Sequence, residues 1–352
     1  MKIKSKLPRE LRGSLRYFFN YHRPYNIKKR RLKENIVLCN EPILGIASVM
    51  RSGGNLIIRL LDGHSQIRNY PSEFLFGVVS DYTIRGMRES LLPIFNNFQR
   101  SKAIFNELSK TDRGPVHQSF HGFGKSGGDN FPFEYSRKLH EKFFLKLTNQ
   151  NSVKSRDIMN NYLSGFFNAY FNCQSLYGQD KKYTATYWPC FARFKENVER
   201  FFSIYPDGKL IHMLRNPFSW AGSAKKRRPK EFSKDYMDDY WGLSTKNAIY
   251  LKNKYLEKYI LIDFTSLVTN TVESMQALCI QLCLRYEKSM ELPTFNRMPI
   301  VANSQVKANQ RFGMVPDVID AYKQVLTKDD IAFVENCFMD LYQEAKKASI
   351  NP

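Results

Sequence analysis

One stretch constrains the fold of this chain more than any other. Ile43-Leu44-Gly45-Ile46-Ala47-Ser48-Val49 is a nearly continuous apolar run, Arg51-Ser52-Gly53-Gly54 interrupts it, and residues 55–61 resume with apolar side chains at helical spacing. An unbroken apolar run suits a strand buried on both faces of a parallel sheet. Glycines between such a strand and a helix mark a tight turn. The predicted unit is therefore strand, glycine loop, helix. Such a loop directs free backbone N–H groups and the positive end of a helix dipole at one point, which suits phosphate or sulfate. Taken alone, it is as readily a plain structural turn. It lacks the G-x-x-x-x-G-K-[ST] pattern, in which Lys reaches the β- and γ-phosphates and Ser or Thr holds magnesium, so a metal-dependent kinase is disfavoured.

The same alternation continues downstream. Lys209-Leu210-Ile211-His212-Met213-Leu214 follows the Pro206-Asp207-Gly208 turn and reads as a second buried strand, and Tyr259-Ile260-Leu261-Ile262 as a third. Residues 94–109, 134–147, 158–171, 240–255 and 270–284 read as helices, as does a last one near 327–347 that opens on a capping-box-like Thr327-x-x-Asp330. Strands alternating with helices predict an α/β fold with a central parallel sheet flanked by helices. A chain of 352 residues fits one large domain, expected over residues 39–347, behind a basic arm over residues 1–38.

Charge narrows the partners. The chain carries 54 Lys plus Arg against 33 Asp plus Glu, a net +21, which calls for an anionic ligand or surface. Residues 1–38 hold twelve of the basic residues and two Glu, with Lys28-Lys29-Arg30-Arg31 near the end. Their interspersed Leu11, Leu15, Tyr17, Phe18 and Phe19 suit either a short amphipathic helix on an acidic membrane or a solvated tail. The aromatic share of 14% is high enough to line an acceptor cleft, although core filling accounts for it more simply. Cys39, Cys173, Cys190, Cys279, Cys283 and Cys337 form no CxxC pair and no Cys/His metal spacing, so no metal is expected. Cys279 and Cys283 read as small buried apolar residues on one helix. A reducing cytoplasm is the simplest compartment, with peripheral membrane contact through the arm.

Arg51-Ser52-Gly53-Gly54-Asn55-Leu56, followed by Leu60-Leu61-Asp62-Gly63-His64 and Tyr70-Pro71-Ser72-Glu73, resembles the 5′-phosphosulfate segment of the sulfotransferase family. Leu214-Arg215-Asn216-Pro217, with Ser223 eight positions after the Arg, resembles that family's 3′-phosphate segment. Physically, an arginine offers a planar fork of donors to a phosphate dianion, and a serine on the first turns of the next helix adds a hydroxyl. A third stretch, Leu292-Pro293-Thr294-Phe295-Asn296-Arg297-Met298-Pro299 with Asn303-Ser304 beyond, is similar to a late segment of bacterial-type members. Two departures stand out: Gly54 occupies a place usually held by Thr, and Arg297 one usually held by Gly. Where many members carry Lys-Thr-Pro, this chain has Tyr183-Thr184-Ala185-Thr186-Tyr187-Trp188-Pro189, so adenine contacts do not carry over.

The resemblance implies a P-loop-like sulfotransferase fold and transfer of a sulfuryl group from 3′-phosphoadenosine-5′-phosphosulfate (PAPS) to an acceptor hydroxyl. It implies nucleotide contacts from Arg51, Ser52, Gly53, Gly54, Asn55, Arg215 and Ser223, and from Lys307 or Arg311 in a closing loop. It makes Arg51 the stabiliser of the leaving group and Glu73 the base, with His121 in reserve beside His117, and His64 structural. The basic balance points to a carbohydrate, a lipid-linked sugar or another anionic acceptor; nucleic acid is not favoured. The alternative from another class is an inactive anion-binding module for nucleic acid or acidic polysaccharide.

Overall fold

The structure, a computed structural model, describes residues 36–74, 95, 116–117, 134–148, 154–170, 173, 180–300 and 312–350. Its centre is a sheet of five parallel strands: β1 Ile43–Ser48, β2 Ile67–Glu73, β5 Tyr183–Pro189, β6 Lys209–Leu214 and β7 Tyr259–Asp263, in the spatial order β2-β5-β1-β6-β7. Two short antiparallel pairs accompany it, β3 Val116–His117 with β4 Glu134–Tyr135, and β8 Thr294–Phe295 with β9 Met298–Pro299. The helices are α1 Gly54–Leu61, α2 Arg137–Thr148, α3 Ser155–Ala169, α4 Lys195–Ile204, α5 Pro217–Arg227, α6 Lys234–Met237, α7 Leu243–Tyr255, α8 Phe264–Thr269, α9 Thr271–Leu282 and α10 Lys328–Lys347. The expected α/β architecture, a parallel sheet between layers of helices, is the one this chain adopts.

Every residue of β1 is buried, because successive side chains enter opposite layers. Ile43 and Ala47 join the core built with α2, α3, α4 and α7, while Leu44 and Ile46 join the core built with α1, α8 and α9. Each Ile or Leu among them contributes about 2 kcal/mol on burial, so β1 supplies both cores. A third cluster, around Trp220, Trp241 and Phe338, packs α5 against α10. The capping box expected at Thr327 and Asp330 forms at the start of α10.

Several elements differ from expectation. Neither β2 nor β5 was read as a strand. Residues 134–135 pair with β3 instead of opening a helix, and α2 starts at Arg137. A π-helical turn over Asp238–Gly242 precedes α7, which delays its start to Leu243. Cys279 is buried as expected, but Cys283 is exposed in the left-handed conformation that ends α9, with φ 52°. The helix expected over 94–109 lies outside the described residues apart from Phe95. So does the arm up to residue 35. Val37 is already docked, its N–H donating to Asn168 Oδ1 at 3.0 Å, and Cys39 N–H donates to Ser164 Oγ at 2.9 Å. Among the described residues, no helix is long and apolar enough to cross a membrane.

Candidate functional site

After β1 the chain moves toward β5 and β2, and after β6 it moves the other way, toward β7. Connections that diverge from neighbouring strands leave a crevice at their carboxyl ends, the place where open α/β sheets bind ligands. The loops leaving β1 and β6 are the two that the sequence singled out, and they meet there. Arg51 Nε donates to Ser223 Oγ at 2.9 Å, and an Nη1–H of Arg215 donates to the carbonyl of Arg51.

The loop after β1 is shaped by its glycines. Gly53, the residue before α1, has φ 92°, and a side chain there would place its Cβ 2.3 Å from Cδ2 of Phe264. Arg51 holds a left-handed conformation as well, with φ 73°, a strain of roughly 1–2 kcal/mol. The N–H groups of Gly53, Gly54 and Asn55 have no acceptor among the described residues, and α1 has no side-chain cap. The buried Ser52 hydroxyl is also without a partner. Unsatisfied donors at a helix start are what an anion completes.

The loop after β6 is made by Asn216 and Pro217. Asn216 Oδ1 caps α5, accepting from Phe218 N–H at 3.0 Å and Ser219 N–H at 3.3 Å, while proline at the first helical position has no N–H to lose. Arg215 is half-buried, its Nε donating to Ser219 Oγ at 3.0 Å and its guanidinium lying over the Phe264 ring at 4.6 Å. Phe264 thus supports both cradles. Trp220 Nε1–H donates to Met50 O at 2.8 Å and Trp241 Nε1–H to Arg215 O at 2.9 Å, so carbonyls that would repel an anion are turned into the protein.

Electrostatically the site is cationic and uncompensated. Among the described residues, no carboxylate pairs with Arg51 or Arg215. Burial, and then the neighbouring Arg51 charge, pull Arg215 down to about 9, and it remains protonated at neutral pH. Desolvation and the nearby Arg227 lower Arg51, while the phenol of Tyr187 acts in the opposite sense. Guanidiniums held side by side without a counter-ion are costly unless something negative joins them.

The other expected residues are distributed as follows. Glu73 ends β2, its backbone registered opposite Tyr187 of β5. His117 lies in β3. His121, Lys307 and Arg311 lie outside the described residues. His64 is buried; its Nδ1 accepts from Gln66 N–H at 3.0 Å, which leaves the proton on Nε2 to donate to Arg285 O at 2.7 Å, a structural arrangement. Asp62 Oδ2 accepts from Thr294 Oγ1 at 3.0 Å and Arg297 N–H at 2.9 Å, joining the first and third segments. Arg297 has φ 64°, the physical reason a glycine suits that position.

Sequence reasoning missed Ser219, Phe264, Tyr187 and Arg227. Ser219 and Arg227 lie one helical turn to either side of Ser223, a spacing that could have flagged them. No comparable signal marked Phe264 or Tyr187.

No protein-family model and no curated protein matches the sequence. Among solved structures, the chain is similar to the sulfotransferase domain of the Synechococcus PCC 7002 olefin synthase, at 16% identity and a TM-score of 0.48 over 90% of this chain and 98% of that one. A sulfotransferase domain from the curacin biosynthetic pathway follows at 16% identity and 0.44, covering 84% and 97% of the two chains. A sulfotransferase from Alicyclobacillus acidocaldarius matches at 14% and 0.37, covering 86% and 99%. Identities this low, with TM-scores under 0.5, fix neither a family nor an activity.

Proposed function

We propose that this chain is a sulfotransferase that takes a sulfuryl group from 3′-phosphoadenosine-5′-phosphosulfate and gives it to an acceptor hydroxyl. One observation supports this above the others: two anion cradles at a topological switch point touch each other through Arg51, Ser223 and Arg215. The 3′ and 5′ oxygens of one ribose lie only a few ångströms apart, so a carrier phosphorylated at both needs its cradles adjacent and open to the same side. The unpartnered Ser52 hydroxyl and the open amides of Gly53 to Asn55 fit one phosphate, and the planar Arg215 with Ser219 and Ser223 fits the other.

When bound, the carrier supplies a sulfuryl group on a phosphate leaving group. The chain's residues position and neutralise. In this reading the 52–55 amides hold the 5′-phosphate. Arg51 offsets the charge that grows on the bridging oxygen as its bond to sulfur breaks and the acceptor oxygen bonds to sulfur, a role in which one donor contributes about 3–4 kcal/mol elsewhere. Glu73 receives the acceptor's proton, His121 being the second candidate, and Lys307 or Arg311 closes over the 3′-phosphate. A carbohydrate or lipid-linked sugar acceptor is supported by the net charge of +21.

The test is thermal stabilisation by 3′-phosphoadenosine-5′-phosphate. Saturation at a hundredfold over Kd should stabilise the chain by about 2.7 kcal/mol. Arg215→Ala should remove most of that shift at any salt concentration. A shift that high salt abolishes in the unaltered chain, and that Arg215→Ala leaves intact, would mean non-specific charge and end this reading. Labelled-donor transfer onto glycans, lipids and tyrosine peptides then identifies the acceptor.

A further inference from the structure

The first residue of α1 has no side chain, yet the space above it is full. A Cβ added to Gly54 would lie 2.2 Å from Cε2 of Tyr187 and 2.7 Å from Oγ of Ser48. The side-chain space of Gly54 is therefore filled by a phenol from β5 and a hydroxyl from the end of β1. Both are buried, Ser48 at 1% and Tyr187 at 4% exposure, and their oxygens are 3.3 Å apart. Among the described residues, Ser48 Oγ has Tyr187 as its partner and no other. A hydroxyl has one proton and two lone pairs, so a serine that accepts from a phenol keeps its own proton to give. Tyr187 also lies near enough to Arg51 to favour its charged form.

We propose that Ser48 is a direct ligand of the anionic group seated on the 52–55 loop, and that Tyr187 is its positioning residue. Tyr187 Oη–H donates to Ser48 Oγ, and Ser48 Oγ–H donates to the anion. Gly54 is then a glycine because the phenol that orients this hydroxyl occupies its side-chain space. The assignment rests on the reading of that loop as the cradle for the 5′-phosphate of the donor.

The experiment is calorimetric titration of the full chain with two nucleotides, 3′-phosphoadenosine-5′-phosphate and adenosine 3′-monophosphate. Ser48→Ala should weaken the first by about tenfold, the loss of a hydrogen bond to a charged group, and leave the second unchanged because it has no 5′ anion. Tyr187→Phe keeps the ring over Gly54 and should weaken the first by about threefold to fivefold. The double variant should bind no worse than Ser48→Ala alone, since both act through one hydroxyl. Unliganded melting temperatures within a few degrees of the parent show that folding is intact. Equal losses on both nucleotides, no loss on either, or losses that multiply in the double variant would overturn the assignment. Titration with inorganic sulfate separates the two claims. Sulfate binding without nucleotide binding removes the donor reading; a sulfate affinity that still falls with Ser48→Ala keeps the ligand, and one that does not removes it too.

Discussion

At Arg215 burial and charge are in conflict. Pulled down to about 9 by its surroundings, its guanidinium begins to release its proton in mildly alkaline solution. The unfolded chain holds that proton to much higher pH, so above about 9 rising pH favours the folded state while weakening its hold on anions. The affinity for 3′-phosphoadenosine-5′-phosphate should therefore be level from neutral pH to about 8 and fall above 9, approaching tenfold per pH unit. A titration series across that range checks it, and a flat profile would show that Arg215 stays charged by other means. Residues of this kind were legible in the sequence because chemistry and position coincide: Arg51 follows a buried strand and precedes glycines, and Arg215 stands between a buried strand and Asn-Pro. Tyr187 and Phe264 were not, because an aromatic residue at a strand end looks the same whether it fills a core or supports a loop. Glu73 as the base is an assignment by resemblance alone.

At the scale of elements, the sheet was legible only in part. β1, β6 and β7 are continuous apolar runs and declare themselves. β5 does not, since Thr184 and Thr186 interrupt its apolar residues, yet both threonines are fully buried. The hydroxyl of Thr184 is satisfied by Glu41, a contact from outside the strand that no local pattern encodes. β2 contains Arg68, Asn69 and Pro71, which read as loop. Arg68 pairs with Glu41, and Asn69 Nδ2 donates to Ile58 O at 3.1 Å. Long-range pairing of this sort also fixes α10. Asp263 at the end of β7 caps α8, accepting from Ser266 N–H at 2.9 Å, and accepts from Tyr342 Oη–H of α10 at 2.6 Å. Burial and then Asp263 push the Tyr342 phenol up, so it remains a donor. Tyr342→Phe should leave the buried Asp263 short of a partner and destabilise the chain by about 2 kcal/mol, lowering the melting temperature by several degrees. Nucleotide affinity should stay within about twofold, because among the described residues the Tyr342 phenol bonds Asp263 and no residue of the loops after β1 and β6. An unchanged melting temperature would mean that water replaces the phenol at no cost.

On the scale of the whole molecule, we propose that the excess positive charge has two separable jobs. The cradles use a few guanidiniums in fixed geometry at the sheet's switch point, where direction and desolvation make each one count. The first 38 residues hold twelve basic side chains interspersed with apolar ones, a pattern that acts by density rather than geometry. Interactions of the second kind are screened over about 8–10 Å at physiological salt, while the half-buried Arg215 is screened much less. Replacing Lys28, Lys29, Arg30 and Arg31 with glutamine should therefore weaken adsorption to vesicles rich in anionic lipid, by about 1 kcal/mol for each charge removed. The same variant should bind 3′-phosphoadenosine-5′-phosphate as tightly as the parent. Arg215→Ala should do the reverse, sparing vesicle adsorption and losing the nucleotide. Co-sedimentation with vesicles and calorimetry on the two variants tests the separation. If the glutamine variant lost nucleotide affinity at physiological salt, arm and cradle would be one electrostatic site, and the charge before Leu38 would belong to donor capture rather than to a surface.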